Sequence, residues 1–321
     1  MSIKIPQYDL DGLGGEFKIT EKVEKSIAEF LGMAHCVMVS SGTAAIFLAL
    51  RALGVKKVAV PALTMIATAT AAELAGCEIS FVSNNEIPKG VDAYVHVSFN
   101  GRDSGIEDVV KSNPNIHIIE DACQAFGSKH NGKYIGTFGK VGCFSFSPHK
   151  ILSAGNGGCI VTNDEGIARE VRKLKNFGRE FGGGDQHDSI GYNFKFTDIQ
   201  AEFMLNQLSE IESRLKRKVE IYKKYYDSLS GIMRPHKGVP WFVDAYVDDR
   251  DELASYLAEK GIGTRKMYPL LTNQKPFSHY KINGDSSQDV SYSNRGLWLP
   301  SSLKLTDDDI EYVIEAIQSW K

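Results

Sequence analysis

The chain has 321 residues, of which 42% are hydrophobic and 24% charged; that excludes disordered and fibrous classes and suggests two domains. Lys and Arg total 37 against 40 Asp and Glu, a net charge of −3, so the composition shows no nucleic-acid footprint and no patch for an anionic membrane. The five cysteines (Cys36, Cys77, Cys123, Cys143, Cys159) lie far apart without a CxxC pair, which argues against a zinc site or disulfide framework and for a reducing, cytoplasmic compartment.

The N-terminal stretch MSIKIPQYDLDG has no apolar h-region, and no run reaches the roughly 18 apolar residues of a membrane span. Apolar strand-like runs then alternate with helical segments. Val37–Val39 precedes a helix from Ala44, and Val58–Val60 precedes an Ala/Thr-rich helix from Met65 to Ala75. Ile79–Val82, Ala93–Val97 and Ile116–Ile119 continue the series, and Cys143–Phe146 and Cys159–Thr162 read as neighbouring strands. Such alternation predicts an α/β unit with a mostly parallel sheet covered on both faces.

A polar helix follows over Glu165–Lys175, then a glycine-rich loop at Gly182–Gly184, then one long helix from Thr197 to Leu229. The remainder reads as a smaller α+β unit with a strand at Trp241–Val247, a helix at Arg250–Lys260 and a terminal helix opening at Thr306. The expected division is residues 1–230, a large unit with an N-terminal helix, and 231–321, a small one.

Three places carry chemistry. At Ser40–Ala45 a buried strand ends in small residues and a helix begins at once, which aims free N–H groups and the helix dipole at an anion. An ordinary helix cap accounts for the same pattern, and no P-loop lysine follows. Glu120 and Asp121 come directly after a strand, where ligands of open α/β sheets bind; a helix N-terminus with favourable acids fits equally. Lys150 follows a strand in a loop with Pro148 and several glycines, and a partly desolvated lysine there can form a Schiff base, although most lysines are solvated. His149 and His96 read as a turn and a core or loop histidine. An anion cradle, then an acid, then a lysine is the order expected of a pyridoxal-phosphate enzyme.

In these motifs the chain resembles the DegT/DnrJ/EryC1/StrS sugar aminotransferases, fold-type-I enzymes with a large pyridoxal-phosphate domain and a small α+β C-terminal domain. The resemblance rests on SSGTAA (Ser40–Ala45), VPALTMIATA (Val60–Ala69), IEDACQAFGS (Ile119–Ser128), FSFSPHK (Phe144–Lys150), GNGGCIVTND (Gly155–Asp164) and GYNFKFTDIQA (Gly191–Ala201). It implies that Lys150 forms the Schiff base and shuttles a proton, Asp121 pairs with the pyridinium nitrogen and Gln124 contacts the ring hydroxyl. It further implies that Gly42, Thr43 and Ser145 bind the phosphate and that Asn193 reaches the phosphate of a neighbouring subunit's cofactor, hence a homodimer with shared sites. Met65 stands where the family usually has an aromatic over the ring, Lys195 where Arg is common, and Asn156 where Glu or Asp is frequent.

The activity implied is transfer of an amino group from L-glutamate to a nucleotide-linked keto-deoxysugar, in amino-sugar biosynthesis of the kind that feeds lipopolysaccharide O-antigen. The stretch KILSAGNGG from Lys150 has the length of members that aminate C4, whereas members that aminate C3 often carry one extra residue. A dehydratase of the same fold would carry His at the lysine position, and a non-catalytic regulatory relative would not need Lys150 and Asp121. A nicotinamide oxidoreductase is disfavoured, because Gly12-Leu13-Gly14-Gly15 follows no strand. Tyr268 is expected to pack beneath a loop or contact the sugar, and Arg179 and Lys195 to be solvated or to meet a diphosphate.

Overall fold

The computed structural model describes residues 18–83, 85–180 and 185–320. Gly12–Gly15 and the Gly182–Gly184 loop therefore lie outside the described residues. Helix α1 (Lys18–Leu31) buries Val23, Ile27 and Leu31, one stripe at helical spacing. Strands β1 (His35–Val39), β2 (Lys57–Pro61) and β3 (Glu78–Val82) alternate with helices α2 (Gly42–Ala52) and α3 (Ile66–Leu74). Strand β4 (Ala93–Val97), helix α4 (Ile106–Ser112) and strand β5 (His117–Asp121) follow. A short hairpin, β6 (Lys129–His130) and β7 (Lys133–Tyr134), precedes β8 (Val141–Ser145), β9 (Gly158–Thr162) and helix α5 (Glu165–Lys175).

These strands form an eight-stranded sheet of order β1-β9-β8-β5-β4-β2-β3-β12, the last being Ile282–Asn283. Pairings from β8 to β12 are parallel, while β9 runs antiparallel between β1 and β8. The expected mostly parallel α/β sheet is thus present, with Cys143 and Cys159 on neighbouring strands. Alternation along β2 sends Val58 and Val60 into the core under α2, α3 and α5, and Ala59 into the core under α4. Both faces are covered, as near-continuous apolar strands require.

The single long helix expected over Thr197–Leu229 is two: α6 (Asp198–Leu208) and α7 (Ile211–Leu229). Ser209 caps the first. Asp198 at its start accepts hydrogen bonds from the Thr20 backbone and hydroxyl, and Gln207 near its end bonds both backbone groups of Ser153, so α6 is tied to the sheet layer. Helix α7 leaves that layer to build a second core. Its Ile221, Tyr222, Tyr225 and Leu229 pack with β10 (Val243–Tyr246), α8 (Arg250–Glu259), β13 (Gly296–Leu299) and α10 (Asp307–Gln318). The second core therefore begins inside α7, ahead of residue 231.

Strand β10 starts at Val243, two residues later than the expected start at Trp241. Asn100 holds Phe242 at both backbone groups, with Nδ2 donating at 2.9 Å and Oδ1 accepting at 2.7 Å, which turns Trp241 and Phe242 out of the strand. Beyond β11 (Arg265–Lys266) the chain returns to the large sheet, where Leu271 and Phe277 join its core and β12 extends its edge, before α9 (Ser287–Arg295). The two layers are also joined by a bidentate pair, Arg102 donating to both oxygens of fully buried Asp244 at 2.7 Å. Among the described residues no helix is long and apolar enough to cross a membrane.

Candidate active site

The carboxyl ends of β1, β5 and β8 meet at a cavity of about 230 Å³ lined by Gly42, Thr43, Met65, Asp121, Gln124, Ser145 and Lys150, among others. Seven of the eight residues singled out in the sequence therefore share one space; Asn193 does not.

At the α2 end, Ser41 is extended and its hydroxyl caps Ala44 N–H at 3.1 Å. Gly42 and Thr43 line the cavity at the positive end of the helix. A Cβ on Gly42 would fall 2.7 Å from Cys123 Sγ and 2.8 Å from Ser145 Cβ, so only glycine lets the helix end approach β8 this closely. Gly158 answers from β9, where a Cβ would meet Ser41 backbone at 2.5 Å. The cap is present at Ser41, and the residues expected to cradle an anion, Gly42 and Thr43, line the cavity after it.

Alternation along β5 separates the two acids. Glu120 turns away and accepts three backbone hydrogen bonds, from Gly136, Phe138 and Gly139, at 2.6–2.7 Å. Burial holds its carboxyl above the usual range, and those three donors pull against it. Asp121 faces the cavity; Thr68 Oγ1 donates to it at 2.7 Å and Cys123 N–H at 3.2 Å. No helix follows Asp121, so the helix-cap alternative for this pair falls away. Burial beside Asp121 pushes the Cys123 thiol well up, leaving it a neutral spacer.

Lys150 is half-buried, and its Nζ lies 3.5 Å from the centre of the Trp241 ring. Burial lowers its pKa from 10.5 to about 8; Cys123 and Asp121 oppose the shift and Arg265 adds to it. His149 is exposed and contributes its backbone oxygen, which accepts from Trp241 Nε1 at 2.7 Å. The lysine, not the histidine, is thus the side chain held on the aromatic floor. Gln124 accepts the Asn100 N–H at 2.7 Å through Oε1, which leaves its Nε2 for the cavity. Asn100 takes a left-handed φ of 54° to do this.

Met65 is 41% exposed and precedes α3, its Sδ accepting Ala67 N–H at 3.1 Å. Asn156 also lines the cavity, and its carbonyl accepts Gln200 Nε2 at 2.8 Å. Asn193 is exposed, in a bridge with Asn176 and away from this cavity. Lys195 and Arg179 lie over the Phe177 ring, at 4.7 and 5.4 Å. His96 is a core histidine: burial takes its pKa down to about 4, and Nε2 meets Ser104 Oγ at 2.8 Å. Tyr268 both packs edge-on to Trp298 and lines the cavity.

Three residues escaped the sequence reading. Thr68 sits one helical turn into α3 and braces Asp121. Trp241 and Arg265 arrive from the second core to close the cavity. Only for Thr68 did a signal exist, in the hydroxyl-rich run Thr64–Thr70.

The donors fit pyridoxal phosphate. A helix end with a forced close approach suits a phosphate, a carboxylate held by neutral donors suits a protonated ring nitrogen, an amide Nε2 suits a ring oxygen, and a desolvated amine suits an aldehyde. Comparison with known proteins agrees. The model of the DegT/DnrJ/EryC1/StrS aminotransferase family matches residues 14–318. GDP-perosamine synthase of Escherichia coli O157:H7 is 33% identical, over 94% of this chain and 89% of that protein. The dTDP-3-amino-3,4,6-trideoxy-alpha-D-glucose transaminase of Streptomyces venezuelae is 29% identical, over 94% of this chain and 86% of that protein. The crystal structure of S. venezuelae DesV in complex with a ketimine intermediate superposes with a TM-score of 0.86 at 27% identity, covering 94% of this chain and 89% of that one.

Proposed function

This chain belongs to the DegT/DnrJ/EryC1/StrS aminotransferase family, whose members use pyridoxal phosphate, and from that premise we propose that it moves an amino group from L-glutamate to C4 of a nucleotide-linked keto-deoxysugar. The observation that carries the reading is the meeting of the Lys150 amine, the Asp121 carboxylate, the Gln124 amide and the α2 N-terminus in one cavity. Amination at C4 is supported by the length of the segment after Lys150; the relatives include one named for a 3-amino sugar, so they do not decide the carbon.

Pyridoxal phosphate supplies an aldehyde and an electron-withdrawing ring that carries nitrogen from one substrate to the other. The chain does the rest. Lys150, with a pKa near about 8, takes a proton at the donor carbon as a free amine and returns it at the sugar carbon as an ammonium. Asp121, held by Thr68, keeps the ring nitrogen protonated. Gln124 Nε2 donates to the ring oxygen, and the Gly42 and Thr43 N–H groups with the Ser145 hydroxyl hold the phosphate. Trp241 and Tyr268 limit access of water.

A homodimer completes the reading. Asn193 stands exposed, and Ile190, Ile199 and Phe203 are 84, 66 and 54% exposed, large apolar groups that a second copy would cover. The division into a cofactor unit, residues 1–230, and a smaller unit, 231–321, is supported by the two cores, although α7 enters the second and Leu271, Phe277 and β12 return to the first.

The test is a product assay with L-glutamate and a panel of nucleotide keto sugars. The protein loaded with pyridoxal phosphate should be yellow and bleach with L-glutamate. Lys150→Ala should lose both colour and turnover while melting like the parent. Full turnover by that variant, or no amino sugar from any member of the panel, would sink the proposal.

A further inference from the structure

Beside the cofactor cavity lies a larger cleft of about 770 Å³, and Lys150 lines both. Five cationic side chains face this cleft (Lys150, Arg214, Lys218, Arg265, Lys304), and among the described residues no acidic side chain does. A charge set this one-sided favours an anion.

The five are not equally available. Arg214 is engaged by Glu210 at 3.2 Å. Lys218 is buried and donates to the carbonyls of Trp241 and Ser301, both at 2.6 Å, so it builds the wall and adds its charge from behind. Lys150 is committed to the neighbouring cavity. Arg265 and Lys304 remain.

Arg265 is placed by strand geometry. On β11 it lies opposite Trp298 of β13, and alternation sends it to the cleft while Lys266 turns to the other side. Lys266 pairs there with Asp251 at 2.8 Å, whereas Arg265 forms no ion pair among the described residues. Its guanidinium lies 5.5 Å from the Tyr268 ring and 5.4 Å from Trp298, contacts that orient the fork without neutralising it. It also lines the cofactor cavity, so a group bound to it sits within one substrate length of Lys150.

We propose that Arg265, with Lys304 behind it, holds the diphosphate of the sugar-nucleotide substrate in this cleft. The inference rests on the sugar-nucleotide reading above and adds the residues that bind the nucleotide's charge. Two substrates could bring an anion here, the diphosphate or the carboxylates of the amino donor. The cleft's size favours the larger group, and Lys304, which forms no ion pair among the described residues, adds a second positive charge for its two phosphates.

The test uses the full chain loaded with pyridoxal phosphate, so that the cofactor's own phosphate site is filled. Calorimetry gives the Kd of GDP, UDP, dTDP and inorganic pyrophosphate for the parent, Arg265→Gln, Arg265→Lys, Lys304→Gln and Lys266→Gln. Loss of the fork should raise the Kd of whichever nucleoside diphosphate binds, and of pyrophosphate, by at least about tenfold. Arg265→Lys should recover part of it, Lys304→Gln should cost less, and Lys266→Gln should change nothing. Lys266→Gln, at a residue that lines neither cavity, should also bleach with L-glutamate at the parent's rate. An unchanged Kd in Arg265→Gln, or an effect confined to the glutamate step, overturns the assignment. If the parent aminates a keto sugar yet Arg265→Gln binds its nucleoside diphosphate as tightly, this inference fails alone; if the parent aminates none, the sugar-nucleotide reading fails first.

Discussion

Two sides of the same site were built in different ways. On one side, strand ends of the large sheet present Asp121 at the end of β5, Ser145 at the end of β8 and Gly42 at the start of α2, each at the terminus of a regular element. On the other, Trp241, Arg265 and Tyr268 stand where the second core happens to face the first. The strand-end side is rigid by construction: its backbone is in the sheet, and a Cβ at Gly42 or Gly158 would not fit. The facing side is held by a few long-range ties, such as Asn100 to Phe242 across 142 residues of sequence. The proposed chemistry therefore sits on the fixed side, and the facing side depends on contacts between the two cores.

Breaking the fixed side should cost the most. Asp121→Ala removes the only carboxylate that lines the cofactor cavity among the described residues and should cut turnover by about 10³-fold, within the range for a positioned acid or base. Steady-state assays at saturating cofactor check this, and a loss below tenfold would mean that Asp121 does not face the ring nitrogen.

Next comes the joint between the sides. Asp244→Asn keeps the shape but leaves Arg102 without its counter-charge in a buried place, which should cost about 3–5 kcal/mol of stability. Tyr246 loses its acceptor's charge as well, since its hydroxyl donates to Asp244 at 2.7 Å. Urea unfolding of the cofactor-free protein measures it. A change under about 1 kcal/mol would show that this pair contributes little to joining the two cores.

The same contrast decides what the sequence made legible. Every strand of the large sheet except β12 corresponds to an apolar run or lies beside one, because a buried parallel strand needs continuous apolar residues. The anion cradle and Lys150 were legible because a strand, a small-residue turn and a helix N-terminus are consecutive in the chain. Glu120 and Asp121 could not be told apart until the register of β5 was known, and Arg265 and Lys266 posed the same problem on β11. Trp241 read as strand because its neighbours are apolar; the Asn100 clamp that bends it away leaves no local trace. The division of the long helix at Ser209 was equally hidden, for it follows from side-chain ties of α6 to Thr20 and Ser153.

The amine sharpens the comparison, because both sides act on it. With a pKa near about 8, half the Lys150 side chains are neutral at that pH, roughly 150-fold more than for a lysine at 10.5. Competitive acylation of the cofactor-free protein should show a fast Lys150 whose rate falls below about pH 8, while Lys218, lowered to about 8 by burial as well, is shielded by its two carbonyl partners. Arg265→Gln removes a nearby positive charge that disfavours the ammonium, so the midpoint should move up. A midpoint unmoved by that change would place Arg265 too far away to matter.

The smallest effect tests how finely the fixed side is tuned. Thr68→Val keeps the volume of the side chain and its place in α3, and removes one donor to Asp121 at 2.7 Å. A hydrogen bond to a charged group is worth about 1.5–3 kcal/mol, and part of it will be replaced by water or by a turn of the carboxylate towards Cys123 N–H. Turnover should therefore fall about tenfold, without the collapse expected of Asp121→Ala. Thr64 Oγ1 lies 3.2 Å from Thr68 Oγ1 and would be left without that partner, so Thr68→Ser is the control that keeps the chain of hydroxyls. Recovery by serine but not by valine would assign the effect to the hydroxyl; full turnover in the valine variant, which keeps the methyl and lacks the hydroxyl, would mean that the carboxylate is held without Thr68.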